Sequence, residues 1–258
     1  MVEESRVQGS MYAPFNATFI ALIPKSDEPL SMEEFRPISL CNKIYKIVSK
    51  FIARRIQKLL STSVSSELFG FLEGRQIHKA IGVAQEGLHR IKTMNLKGAV
   101  LKIDLSKAYD RVSWLYLKLL LTHLGFEAPF ITWVMSCLSS ISFDVLINGV
   151  TFPFFHVERG LFQGCSLSPL LFILVVEGLS RAIVDAKRNG SFKGIAINPN
   201  LCITHILFVD DILIFCNGTR EEANKLFEIL DLFSLATCMQ INSQKSTLST
   251  HNMSPWEI

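Results

Sequence analysis

Two adjacent aspartates, Asp210 and Asp211, interrupt the stretch LFVDDILIF (residues 207–215), whose other positions are all apolar. Burying unpaired carboxylates is costly, so an apolar hairpin carries them at an exposed tip or against a metal ion. Asp-Asp is common in turns, yet Val-Asp-Asp-Ile lacks the Gly or Asn that a tip usually sets beside Asp. A third acid, Asp104, ends the apolar run AVLKID (99–104) and opens LSKAYDRV. If the two segments pair in one sheet, Asp104 lies beside Asp210. Three carboxylates gathered there repel one another at neutral pH, and divalent cations relieve the repulsion. Oxygen ligands completed by substrate phosphates suit Mg²⁺. Two such ions ~3.5–4 Å apart stabilise the attacking and leaving oxygens of an in-line phosphoryl displacement.

Two further features could serve such chemistry. RGLFQGCSLSPLLF (159–172) places Gly160, Gly164 and Pro169 in a loop that opens a buried helix. Glycine permits close backbone approach, for instance to a base or a sugar-phosphate, and Gln163 can donate and accept in a groove. A plain loop before a helix accounts for the same residues. From Arg36 to Lys58 there are seven basic residues and no acidic one. Lys46, Lys50, Arg54 and Lys58 recur every four residues and share one helix face. Ile44, Val48, Phe51, Ile52, Ile56 and Leu59 fall mostly on the other, while Ile47 and Arg55 break the pattern. The ridge suits a phosphate backbone, and an ordinary solvated face has the same composition.

These residues need a scaffold. The first 14 residues read as a loose tail. TFIALI (18–23), stopped by Pro24, reads as a strand, 29–37 as a loop and 41–60 as a helix. GFLEG (70–74) is a turn, followed by a helix over 77–94 and the strand that ends at Asp104. Helices are expected over 113–124, closed by Gly125, and over 130–139. SFDVLI (142–147) followed by Asn148-Gly149 is a strong hairpin signal. A buried helix runs from Pro169 to Lys187, strands 202–208 and 212–216 flank the Asp pair, and a helix covers 221–236. A short polar segment with strand character closes the series at 241–248. Strands and helices mix without strict alternation, which favours an α+β fold.

Composition sets outer bounds. Of 258 residues, 49% are apolar and 19% charged, so a large core is available and global disorder is excluded. No apolar run reaches the ~18 residues of a membrane span; the longest, Pro169–Val176, is cut by Glu177. The opening MVEESR lacks the apolar stretch of a secretory signal. Six scattered cysteines without a CxxC argue against a zinc site and a disulfide framework, leaving a reduced, intracellular protein as the expectation. The net charge of +3 is too small to identify a nucleic-acid partner; local charge says more.

Taken in order, FRPISLCNKIYKIVSK, DLSKAYDRVSW, SFDVLING, RGLFQGCSLSPLLF, THILFVDD and INSQKS resemble the blocks of the reverse transcriptase domain of non-LTR (LINE-like) retrotransposons, of the kind abundant in plant genomes. The resemblance covers roughly residues 18–250. It implies a right-hand polymerase with a tail (1–17), fingers with the basic helix (18–98), an antiparallel-sheet palm packed on helices (99–250), a second tail (251–258) and no thumb. It implies an RNA-directed DNA polymerase that joins dNTPs to a primer 3′-OH on an RNA template, with two Mg²⁺ ions, Mn²⁺ being tolerated. Asp104, Asp210 and Asp211 become the palm carboxylates, Asp104 and Asp210 the metal ligands and Asp211 a supporting residue. Tyr109 takes the place of an aromatic gate that crowds a 2′-hydroxyl. Gln163 and Gly164 line the nascent base pair, and Lys245 matches a lysine that protonates the leaving pyrophosphate. Arg36 and Arg75 fall in motifs that contact triphosphate or template. Lys43, Lys46, Lys50, Arg54 and Lys58 then track the nucleic-acid backbone. The partners implied are RNA template, DNA primer, dNTPs and other segments of a full-length element, with no membrane; nuclear residence follows from what such elements do.

The chain departs from the family pattern at several positions. Phe162 stands where the loop usually carries arginine, Ser166 where it carries proline, Leu68 for a polar Gln, Lys79 for an acid and Cys238 for Gly. A lost charge-assisted contact at Phe162 would lower activity ten- to hundredfold, at ~1.5–3 kcal/mol per contact. With only thirteen residues after Lys245, the chain reads as a truncated copy. The alternative to an active enzyme is a remnant that binds RNA or RNA–DNA hybrid without turnover. A hydrolase using Cys165 as nucleophile, or a two-metal nuclease, is the reading from a different class; an activated cysteine needs an electropositive site, and none is legible here.

Overall fold

Spacings of three and four residues bury Tyr45, Val48, Ile52, Ile56 and Leu60 along one side of the helix Lys43–Ser63, as an amphipathic period demands. The computed structural model describes residues 2–147, 149–151, 155–198 and 201–253. In chain order they form α1 (Val2–Gln8), β1 (Ala17–Pro24), β2 (Phe35–Cys41), α2 (Lys43–Ser63), β3 (Leu68–Phe69), α3 (Ile77–Thr93), β4 (Gly98–Ile103), β5 (Leu105–Ser106), α4 (Ala108–Arg111), α5 (Trp114–His123) and α6 (Ala128–Ser139). There follow β6 (Ser142–Ile147), β7 (Val150–Thr151), β8 (Phe155–His156), α7 (Ser168–Arg188), β9 (Ile195–Asn198), β10 (Leu201–Ile203), β11 (His205–Phe208), β12 (Asp211–Cys216), α8 (Arg220–Thr237), β13 (Gln240–Ile241) and β14 (Thr247–His251). The mixed α+β class is as expected. Among the described residues no helix is long and apolar enough to cross a membrane.

The chain divides into two units, each assembled from two stretches: Met1–Lys58 with Tyr109–Phe172, and Leu59–Ala108 with Ile173–Ile258. The first unit carries a sheet in the order β2-β1-β6-β7, with β8 also on β6. β1 runs antiparallel to β2, from Thr18 opposite Cys41 to Pro24 opposite Phe35, and parallel to β6. β2 begins where the sequence predicts a loop. Pro37 has no N–H to give, and a strand at the sheet edge tolerates that. Ile147 pairs with Val150, so the expected hairpin forms, although Asn148 itself lies outside the described residues. The expected tail contains α1, which is anchored because Trp133 Nε1 donates to the buried Ser5 Oγ at 2.9 Å. No hydrophobic period announces so short a helix; it packs on α6, with the bond from the buried indole of Trp133 as part of that contact.

The second unit carries the sheet β14-β4-β12-β11-β3, antiparallel except for β3 on β11. Ala80 and Ile91 of α3 pack with Val100, Ile195, Ile203, Ile206 and Phe215 in one buried cluster. The run LLFILVVEGL (170–179) became part of α7 with Glu177 only 1% exposed. Its carboxylate accepts from Ser65 N–H at 3.0 Å, Ser65 Oγ at 3.1 Å and Arg181 Nε at 2.7 Å, which offsets the desolvation of the charge.

Candidate active site

The second unit positions the acids. Ile103 pairs with Ile212, so Asp104 and Asp211 each lie one residue beyond the last pair of β4 and β12. Phe208 pairs with Asp211, which leaves Val209 and Asp210 as a two-residue turn. Val209 has φ +57°, a left-handed conformation that a β-branched residue rarely adopts. This supplies the positive φ that the tip needs without the expected Gly or Asn, and it is a strained choice of the kind held at functional sites. Asp210 and Asp211 are exposed and Asp104 is half-buried. Asp211 Oδ1 lies 3.6 Å from Lys102 Nζ, an ion pair exposed enough to contribute little.

Asp104 is pinned through its main chain. Its N–H donates to Ser246 Oγ at 3.1 Å and its C=O accepts from Asn242 N–H at 2.8 Å. Asn242 Oδ1 in turn accepts from the N–H groups of Gln244 (3.1 Å) and Lys245 (3.3 Å), an Asx-type turn. β13 on β5 continues the attachment, with Ile241 opposite Leu105. The segment that carries exposed Lys245 is thereby fastened to the residue that begins the carboxylate set. Asn242 and Ser246 were not singled out from sequence; INSQKS held the signal, since Asn and Ser turn residues bond main chain locally. The expected gathering of three carboxylates is not seen: among the described residues no three His, Cys, Asp or Glu side chains stand close enough to hold one metal ion. Asp210 and Asp211 are exposed at the tip.

The first unit positions the loop residues. Gly160 N–H donates to Val112 O at 2.8 Å, Leu161 N–H to Tyr109 O at 2.7 Å, and Trp114 Nε1 to Gly160 O at 2.8 Å. On its other side the loop meets β2, where Ser39 N–H donates to Gln163 O at 2.8 Å. Gly164 has φ +104°, and a Cβ there would fall 2.9 Å from Ser39 O, so the close approach that requires glycine is to the protein's own strand. Phe162 is 5% exposed and packs edge-to-face on Phe143, with centroids 5.1 Å apart. The side chain that stands for a loop arginine is therefore a core residue. Tyr109 stacks on Phe172 with centroids 4.5 Å apart and planes 11° from parallel. Cys165 is buried with Sγ 3.6 Å from Tyr45 OH, so a nucleophilic Cys165 has no access to a substrate.

The basic residues divide. Lys43, Lys46, Lys50, Arg54 and Lys58 are all exposed on α2, and Arg55 lies 4.4 Å over the Phe51 ring. Phe51 and Leu59, expected on the apolar face, are 39% and 52% exposed, because the buried stripe runs through Tyr45, Val48, Ile52, Ile56 and Leu60. Arg36 is exposed on β2. Arg75 is half-buried and gives Nη1 to the C=O groups of Ser65 and Leu68 (3.0 Å for Leu68) and Nη2 to that of Val64 at 3.0 Å. It caps the end of α2 and the start of β3, a structural task that the sequence motif does not reveal.

Residues 23–256 match the family described as reverse transcriptase (RNA-dependent DNA polymerase). The chain belongs to the reverse transcriptase family. Its relatives include an uncharacterized 149 kDa protein of transposon TX1 from Xenopus laevis, 26% identical over 249 residues that make up 96% of this chain and 18% of that protein. The Pol polyprotein of the type-1 retrotransposable element R2 from Popillia japonica is 23% identical over 243 residues, covering 93% of this chain and 33% of that protein. This reverse transcriptase domain therefore spans a fifth to a third of the length of these two relatives. The structure of apo telomerase from Candida tropicalis, truncated from its C-terminal domain, superposes with a TM-score of 0.64 at 14% identity over 94% of this chain and 51% of that one, a likeness of fold. The expected reverse transcriptase fold and kinship with non-LTR retrotransposon reverse transcriptases are met.

Proposed function

We propose that this domain catalyses RNA-templated DNA synthesis, adding a dNTP to a primer 3′-OH. The observation that carries the reading is the end of the β4–β12 pair, where Asp104 and Asp211 flank the last register pair and Asp210 stands at the adjoining tip, in a chain of this family. The donor set fits a divalent metal by its chemistry: Asp104 and Asp210 offer hard carboxylate oxygens, and neither His nor Cys accompanies them, as Mg²⁺ prefers. Asp104 and Asp210 would hold the ions, and Mg²⁺ would there stabilise charge on the phosphoryl oxygens. Asp211 supports the set beside Lys102. Lys245, on the turn fastened to Asp104, would donate the proton that the leaving pyrophosphate takes up.

The other residues bind and select. Tyr109, stacked on Phe172, would hold a flat ring against the sugar of an incoming dNTP, and Gln163 and Gly164 would border its base. The exposed ridge Lys43, Lys46, Lys50, Arg54 and Lys58 would follow the template–primer backbone, with Arg36 toward triphosphate or template. Arg75 contributes through the support it gives the segment 64–68. The finer assignment is to elements of plant type, which the ordered blocks as a whole resemble. Single-nucleotide primer extension on an RNA template, with Mg²⁺ and with Mn²⁺, tests the reading. Incorporation that Asp210→Asn abolishes supports it, and incorporation indifferent to that change overturns the assigned site. The burial of Phe162, where the family's loop usually carries arginine, favours a second reading, in which the domain binds hybrid without turnover. Salt-dependent hybrid binding with no incorporation in either metal is its signature.

A further inference from the structure

A cleft of about 500 Å³ opens in the second unit, at the end of the sheet away from the carboxylates. β12 starts at Asp211 and ends at Cys216, and the next residue, Asn217, lines the cleft. β4 ends beside Asp104 and starts at Gly98, and the preceding residue, Lys97, lines it too. Strands of this length place the cleft roughly 20 Å from Asp104 and Asp211 at ~3.3 Å per residue. It is a separate place on the molecule.

Three lysines converge there from three segments: Lys97 before β4, Lys187 in the last turn of α7, and Lys193 before β9. Leu96, Phe192 and Ile195 supply an apolar floor, and no lining residue is acidic. Buried contacts fix the wall. Glu222, 2% exposed, accepts from the N–H groups of Lys193, Gly194 (2.9 Å) and Asn217. Gly194 has φ +70°, and a Cβ there would fall 2.2 Å from Ile203 O. Lys187 Nζ is oriented by donating to Cys202 O at 2.7 Å. A neighbouring cleft of about 400 Å³, which shares Lys193 and Asn217, is lined by Glu221, Glu222 and Glu228 together with Lys225. Of the two, only the first is lined by lysines without an acidic residue.

We propose that the lysine-lined cleft binds a nucleotide, its phosphate taken by Lys97, Lys187 and Lys193 and its base or sugar by the apolar floor. The volume suits one nucleotide, and lysine is a common partner of phosphate. A free nucleotide and the phosphorylated end of a single strand present the same chemistry. The site owes nothing to the carboxylates and stands or falls apart from polymerase activity.

Equilibrium binding in the presence of a chelator, which removes metal-dependent binding elsewhere, tests the proposal with two probes: adenosine monophosphate and a 5′-phosphorylated RNA hexamer. Wild-type protein is expected to bind at least one. Equal affinity for the two identifies the free nucleotide as sufficient, and tighter hexamer binding identifies the strand end. Lys97→Gln with Lys193→Gln, both at exposed positions, is expected to weaken binding about tenfold or more. For the hexamer it should also lower the slope of log K against log salt by ~0.7 for each lysine removed. Unchanged affinity in the double variant, or no wild-type binding at millimolar probe, overturns the proposal. Lysine acetylation of the unaltered protein gives an independent arm. The probe should protect Lys97, Lys187 and Lys193, and protection confined to the lysines of α2 would overturn the assignment.

Discussion

Glu177 sits in the apolar run LLFILVVEGL, and Asp210-Asp211 in LFVDDILIF; by composition the two stretches pose the same problem. In α7 the acid is buried and its oxygens take bonds from Ser65 and Arg181, while Arg181 Nη2 also donates to Ser63 O at 3.0 Å. In the β11–β12 hairpin the acids are exposed, and Lys102 Nζ stands 3.6 Å from Asp211 Oδ1. The difference teaches how to read an acid in an apolar run. A carboxylate supplied with donors by its own fold is spent on stability. One lifted to a strained tip is left to solvent, where a ligand from outside can reach it.

Four outcomes would break or sharpen that contrast. The largest is at the tip. Asp210→Asn should lower primer extension by at least about a hundredfold, the scale of losing one electrostatic partner of the transition state, and leave the urea midpoint in place because the residue is exposed. Retained activity would place Asp210 outside the chemistry. The mirror experiment is Glu177→Ala, which leaves buried donors of Ser65 and Arg181 without an acceptor. A loss of about 3 kcal/mol in chemical denaturation is expected, and unchanged stability would mean that the buried acid contributes no more than the exposed pair.

Phe162→Arg introduces an unpartnered charge beside Phe143 and tests the same rule from the other side. About 2–3 kcal/mol of stability should be lost, with no gain in nucleotide incorporation. A rise in incorporation would restore the arginine to a place at the substrate. The smallest effect concerns His205, buried between Ser180 Oγ at 2.8 Å and Thr204 Oγ1 at 2.9 Å. Burial pushes its pKa from 6.5 down to about 4, with Glu67 opposing and Lys187 adding to the shift. The unfolded chain therefore binds more protons between those values, and stability falls as pH drops from about 6.5 towards 4. Thermal unfolding should show a shallower fall over that window in His205→Gln than in the unaltered protein.

Much of the architecture was legible one segment at a time. The 3.6 period of α2, the apolar strands on either side of Asp210-Asp211, the Asn-Gly hairpin signal and the helix opening at Pro169 are all local patterns that became elements, although the run expected as one strand over 202–208 is split into β10 and β11, which pair in different sheets. β2 and α1 were not legible. An edge position excuses Pro37, and a bond from Trp133, 128 residues away, holds Ser5, and neither fact is local. Of the site, the residue types were readable and their surroundings were not. Phe162 looked like a missing charge and is a packed ring; Gly164 looked like room for a ligand and is also held to glycine by Ser39; Arg75 looked like a ligand contact and holds three carbonyls.

The sequence by itself determined the family, because ordered blocks of residue types survive without reference to geometry, and most of the secondary structure, because hydrophobic period is a local property. Only the tertiary structure decided which charged groups are satisfied by the protein and which are left to solvent. Desolvation and hydrogen bonding depend on neighbours far apart in sequence. Asp104 meets Asn242 and Ser246, and Glu222 meets Lys193 and Gly194, solely because the chain folds back upon itself.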